Sequence, residues 1–265
     1  MKRFFCVLIV VFLACTISFA QSLNEDNGVQ AGQENKTNSN YVASTSWVAA
    51  IAELAGLDNV VTIAPANLKH PPEYEITADD MVSVINAKLF MHAGYEKMMK
   101  TISNAAQLDE SRIVKVKTTN TLANLEKMVN MLSEKAGTEE IAQERFGEYK
   151  KLIEEARERI AASPNKDLEV FANVNQAEFA RDLGLNVVST FGSGSLTADQ
   201  IKEAHEKAYA LVIDNVHSPV ASPIADVSPT SVILTWRNFP DYLGSNALYN
   251  VIKENLEMLW ETGLF

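Results

Sequence analysis

Twice along this chain, short β-branched runs alternate with helical segments, and one long helical stretch lies between the two series. In the first series, residues 41–44, 60–63, 89–92 and 113–116 read as strands, with helices at 46–55, 77–86 and 95–104. In the second, strands at 169–172, 187–190, 211–213 and 232–236 alternate with helices at 176–183 and 197–210, a short one after 213, and a last from about 243 to 260. Such alternation with short loops predicts parallel sheets flanked by helices. Between the series, 121–135 and 138–162 are rich in Glu, Lys, Ala and Leu, with apolar residues at three- and four-residue steps. Gly137 interrupts the stretch and Ser163-Pro164-Asn165 ends it. The second helix is charged over much of its surface, as suits a surface helix bridging two lobes. The expected fold class is therefore α/β: two lobes, 41–137 and 165–265, each with a short, mostly parallel sheet flanked by helices, joined by a long helix over 138–164. Ligands of open parallel sheets sit at the carboxyl ends of the strands, here in the cleft between the lobes.

The first forty residues address a compartment. Lys2 and Arg3 precede an apolar run over 4–20 that ends Ser18-Phe19-Ala20, with small residues placed for cleavage before Gln21. This is the pattern of a secretory signal peptide over 1–20, and the run is short for a membrane span. Phe12-Leu13-Ala14-Cys15 offers a competing cut, an imperfect lipobox that would leave a lipid on Cys15 and tether the protein to a membrane. Residues 21–40 are polar and rich in Asn and Gln, so they cannot bury enough surface to offset chain entropy, and they read as a disordered leader. Cys6 and Cys15 are the two cysteines of the chain. A chain cut after Ala20 has neither, which excludes disulfides and thiolate metal sites. The expected product is an exported monomer, periplasmic or on the outer side of a membrane.

The formal charge is −11, with 34 acidic against 23 basic residues. A surface that acidic repels phosphate backbones and argues against nucleic-acid binding. No His-Glu-x-x-His helix, serine nucleophile elbow or phosphate-binding glycine loop is present, so the expectation is a binding protein, not an enzyme.

Residues 68–80, Leu-Lys-His-Pro-Pro-Glu-Tyr-Glu-Ile-Thr-Ala-Asp-Asp, resemble the His-Pro-His-(Glu/Asp)-Tyr-Glu-Pro-Thr-Pro-Ser-Asp run of the zinc- and manganese-binding receptors of ABC transporters. Residues 87–96 look like that family's strand followed by Gly-x-Glu. Residues 179–185 are similar to its second-lobe helix ending in Tyr-Gly-Leu, and 212–219 resemble its segment with an acid followed by Ser-Pro. The resemblance implies a rigid backbone helix with little domain closure, a zinc or manganese ion as transported cargo, and an ABC transporter membrane permease as partner. It also implies ligands from four places, and here the chain departs. His70 matches the first. The second place reads Lys117-Thr118-Thr119-Asn120-Thr121-Leu122, the third falls at Asn173, and the fourth falls near Thr235-Trp236-Arg237.

The remaining histidines offer replacements. His92 closes an apolar strand, and His217 follows the strand that carries Asp214, so both stand where the cleft of an open sheet lies. His70, His92 and His217, with Asp214 or water as the fourth partner, would complete a tetrahedral zinc site without cysteine. Binding at such a site should weaken as pH falls through about 6.5. Asp214 could instead orient His217 or cap a helix. His205, on a charged helix face, reads as a solvated surface residue, and Glu73, Glu75 and Asp241 are spare carboxylates. Two alternatives stay open: the same architecture binding a metal chelate or other solute after loss of the usual ligands, and a secreted adhesin-like module.

Overall fold

The computed structural model describes residues 39–105 and 108–265. The signal segment, Cys15 and the leader up to residue 38 lie outside the described residues. The first lobe is built on β1 (Tyr41–Ala43), β2 (Val61–Thr62), β3 (Leu89–His92) and β4 (Ile113–Lys115), all parallel, in the order β2-β1-β3-β4. Its helices are α1 (Ser46–Leu54), α2 (Ala78–Asn86) and α3 (Met98–Ala105). Then come α4 (Leu122–Ala136) and α5 (Glu139–Ala162). The second lobe repeats the topology with β5 (Glu169–Asn173), β6 (Asn186–Phe191), β7 (Leu211–Asn215) and β8 (Val232–Trp236), parallel and ordered β6-β5-β7-β8. Its helices are α6 (Val174–Asp182), α7 (Ala198–Lys207), α8 (Ser222–Val227) and α9 (Ala247–Glu261). The expected α/β architecture of two parallel sheets flanked by helices is what the chain adopts.

Both faces of each sheet are covered, as parallel sheets require. Successive strand residues point to opposite faces, so Val42 and Phe90 enter an outer core under α2 and α3, while Ala43 and Met91 enter a central one. In the second lobe Phe171 and Val212 face outward, and Ala172 and Ile213 inward. The central core is continuous from one lobe to the other. It contains residues of α1, α4, α5, both inner sheet faces and α9. Helix α5 supplies Ala142, Phe146, Tyr149, Ile153, Ala156 and Ile160, a stripe at alternating four- and three-residue steps. Helix α9 leaves β8 and packs against both α1 and α5, so the last helix also covers the first lobe. A core shared in this way leaves little room for one lobe to move against the other. Asp182 at the end of α6 adds a polar tie, accepting the Leu122 N–H at 2.8 Å and pairing with Arg157 of α5 at 2.6 Å.

Three helix boundaries differ from the sequence expectation by three residues or more, each for a local reason. Helix α3 starts at Met98 because Glu96, expected inside it, turns back and accepts the N–H groups of Ala93 (2.8 Å) and Gly94 (2.6 Å) and the Ser44 hydroxyl. Helix α7 stops at Lys207 because Ala208 turns left-handed, with φ +47°. Helix α9 begins only after Asn246, also left-handed at φ +61°. Among the described residues no helix is long and apolar enough to cross a membrane.

Tyr149 is fully buried in α5, and its hydroxyl has no hydrogen-bond partner among the described residues. Desolvating an unpaired hydroxyl is unfavourable. Tyr149→Phe is therefore expected to raise stability by about 1 kcal/mol, or about 2–4 °C in melting temperature. A drop of similar size in a thermal melt would show that the hydroxyl is satisfied after all.

Candidate functional site

In both sheets the strand order reverses beside the first strand of the lobe, and the loops leaving the carboxyl ends there meet at the interlobe cleft. The segment after β8 closes the junction. Ser46 donates its hydroxyl to the Pro240 carbonyl at 2.7 Å, and the Asn120 amide donates to the Asn238 carbonyl at 2.7 Å. Trp47 Nε1 donates to Asn120 Oδ1 at 3.0 Å, and its ring stacks on Phe239 with centroids 5.4 Å apart. His217 lies on the Phe239 ring as well, at 3.7 Å and 7°. Three aromatic rings thus run from α1 of the first lobe to the loop after β7 in the second.

Amides occupy two of the places where the family resemblance called for ligands, Asn120 in the second and Asn173 at the third. Asn173 Nδ2 donates to Asp214 Oδ1 at 3.1 Å, while its Oδ1 accepts the Asn175 N–H at 3.0 Å. Asn215 Nδ2 reaches Asn238 Oδ1 at 3.3 Å, and Gln176 Nε2 donates to the Trp236 carbonyl at 3.0 Å. These groups are buried and bonded to one another within the second lobe, so they fix its strand-end loops and do not present free donors to an ion.

The four expected ligands do not assemble. Among the described residues, no three His, Cys, Asp or Glu side chains are grouped so as to hold a metal ion. Asp214 is 2% exposed, and its carboxylate accepts four N–H groups: Asn173 Nδ2, Asn215 N at 2.8 Å, Val220 N at 2.6 Å and Ala221 N at 2.7 Å. With both oxygens engaged, it shapes the β7–α8 loop, the structural role the sequence left open beside that of ligand. His92 is half-buried, stacks on Phe90 and has Lys115 across the β3–β4 pair. Burial lowers its pKa, the Glu96 carboxylate opposes this, and the Lys115 ammonium adds to it. An ammonium group beside an imidazole is a poor setting for a dication.

His70 and His217 are the pair brought near each other across the lobes. His70 is exposed, just ahead of a short 3₁₀ turn at Pro71–Glu73. It is close enough for its charge to disfavour protonation of His217. Burial is the larger cause, and together with Arg237 it holds His217 down to about 4, against the pull of Asp241 and the Phe239 backbone. His217 Nε2 is buried without a hydrogen-bond partner among the described residues. Asp241, counted as a spare carboxylate, is held by Arg237 at 3.0 Å. The exposed His205 rests its Nδ1 on the Val227 carbonyl at 2.8 Å, tying α7 to the end of α8.

The open space of the cleft lies elsewhere. A cavity of about 690 Å³ is lined by Trp47, Tyr95, Lys115, Lys117 and Thr118–Asn120 from the first lobe, and by 174–176, Glu178, Phe179 and Asn238 from the second. The sequence marked 117–120 only as the place of a missing histidine. Lys115 and Trp47 carried no signal, because nothing local shows that they face the same space.

No family model and no curated protein matches the chain. Solved structures do match. The chain is similar to the laminin binding protein Lmb of Streptococcus agalactiae, described as a bifunctional protein with adhesin and metal transporting activity, at TM-score 0.66 and 14% identity, over 86% of this chain and 100% of that one. It is similar to the Mn-bound periplasmic metal binding protein of Candidatus Liberibacter asiaticus at TM-score 0.61 and 14% identity, with 86% and 100% covered. A mutant of FpvC from Pseudomonas aeruginosa matches at TM-score 0.65 and 12% identity, with 84% and 98% covered. At these identities the likeness is one of fold, and the chain has the two-lobed α/β fold of these proteins over nearly all the described residues.

Proposed function

We propose that this chain is an exported solute-binding receptor that captures a transition metal, zinc or manganese in the first instance, and delivers it to the membrane permease of an ABC transporter. It acts as a monomer and carries out no chemistry. The observation behind this reading is the cleft at the carboxyl ends of two parallel sheets whose lobes share one core, in a fold that proteins described as metal-binding also adopt. His70 and His217 are the candidate protein donors. Two imidazoles leave the rest of a zinc shell to water or to groups the cargo brings with it.

The test is metal analysis of protein secreted from cells grown with zinc and manganese and purified without chelators. Stoichiometric zinc or manganese is expected, with thermal stabilisation that the retained metal supplies by mass action. Metal-free protein whose melting temperature moves with neither ion, free or complexed, would overturn the reading.

A further inference from the structure

The cleft is shaped and charged for something other than a bare dication. Its volume of about 690 Å³ falls in the range of pockets that bury a whole small molecule, whereas a naked ion needs only a few donors around a point. Its lining has two lysines, Lys115 and Lys117, against one acid, Glu178. The chain as a whole carries −11, so the cleft runs against the sign of the surface. Neither lysine makes an ion pair among the described residues.

Lys115, though exposed, lies against the cleft wall at one point. Its side chain lies over the backbone of Gly94, where a Cβ would stand 2.6 Å from Cε and 3.1 Å from Nζ, and Gly94 has φ +93°. The positive φ favours glycine at 94, and the absence of a Cβ there leaves room for the lysine stem. Glu96, two residues on, could neutralise the ammonium, but it is committed to two backbone N–H groups and Ser44. Beside the lysines, Thr118, Thr119 and Asn175 offer hydroxyl and amide groups that suit oxygen-rich ligands, and Trp47 and Phe179 supply apolar walls.

We propose that the cleft takes its metal already wrapped in an anionic, carboxylate-rich chelator, whose oxygens Lys115 and Lys117 engage. This rests on the receptor reading above and names the form of the cargo. It accounts together for the missing ligand set, the interlocked amides and the positive lining.

The experiment is calorimetric titration of the full secreted chain with three probes at pH 7: zinc citrate, zinc alone and citrate alone. Zinc citrate is expected to bind at least about tenfold more tightly than either component, since only the complex offers both the charge and the shape. Lys115→Gln and Lys117→Gln are each expected to weaken it about tenfold, as loss of a charge-assisted hydrogen bond does. Lys202→Gln, on the exposed α7, should change nothing. Affinity should fall with added salt. Tight binding of zinc alone, indifferent to both lysine substitutions, would overturn the chelate and leave the metal receptor standing. Equal binding of citrate with and without zinc would overturn the metal receptor and leave an anion receptor. Binding of none of the three probes would overturn the chelate proposal.

Discussion

Asp214→Ala is expected to destabilise the protein by about 4 kcal/mol, the largest single effect anticipated for any cleft residue. The carboxylate is 2% exposed and accepts four N–H groups, three from the backbone of its own loop and one from Asn173. Alanine would leave all four donors without their acceptor, and each buried orphan donor costs about 1–3 kcal/mol. Val220 is only half-buried, so water can reach part of the gap and the four costs do not simply add. Asp214→Asn keeps one acceptor oxygen but aims an NH₂ at other donors, and should cost about half as much. Urea unfolding with an unchanged m-value is the measurement. A loss below about 1 kcal/mol in the metal-free protein, paired with loss of metal affinity, would return Asp214 to the role of ligand.

The two series of strands and helices were legible because each strand is a β-branched or apolar run and each long helix carries a three-and-four stripe, as in α5. The helix ends that shifted depend on residues without a sequence signature. Ala208 and Asn246 take left-handed angles that glycine more often supplies. Glu96 is an ordinary helix former that tertiary bonds hold in a turn. The candidate site was legible in place but not in chemistry. Titratable side chains at strand ends drew attention to His92, His217 and Asp214, and of the loops they mark the one after His92 lines the open cavity, through Ala93 and Tyr95. What joins the lobes there, however, is neutral: the Asn120–Asn238 and Ser46–Pro240 bonds link residues more than a hundred positions apart, and the Trp47–Phe239–His217 stack joins helix α1 to two separate loops. Pairings of that range are set by packing of the whole core, and no local pattern announces them.

Acid should weaken the fold through His217, by about 2 kcal/mol between pH 6.5 and about 4. Burial disfavours the imidazolium, the Arg237 guanidinium and His70 repel it, and Asp241 and the Phe239 backbone offset them only in part, leaving the ring at about 4 against its ordinary 6.5. The folded state thus prefers the neutral ring, while the unfolded chain protonates it at the usual pH. Stability from this group is complete above pH 6.5, declines as pH falls below it, and reaches its floor near 4. The full shift corresponds to about 3 kcal/mol, and partial solvent access at the half-buried loop reduces it to the figure given. His217→Phe isolates the effect, since phenylalanine can keep the stack on Phe239 but cannot take up a proton. Urea midpoints at pH 7 and pH 4.5 should diverge more in the wild type than in the variant. Other acid-sensitive groups, such as the half-buried His92, contribute equally to both and cancel. Identical pH dependence in the two proteins would show that the ring titrates as if in water. The same neutrality bears on metal. The sequence led us to expect binding to fade through about 6.5, but a His217 that stays neutral to about 4 should hold its share of any coordination well below that.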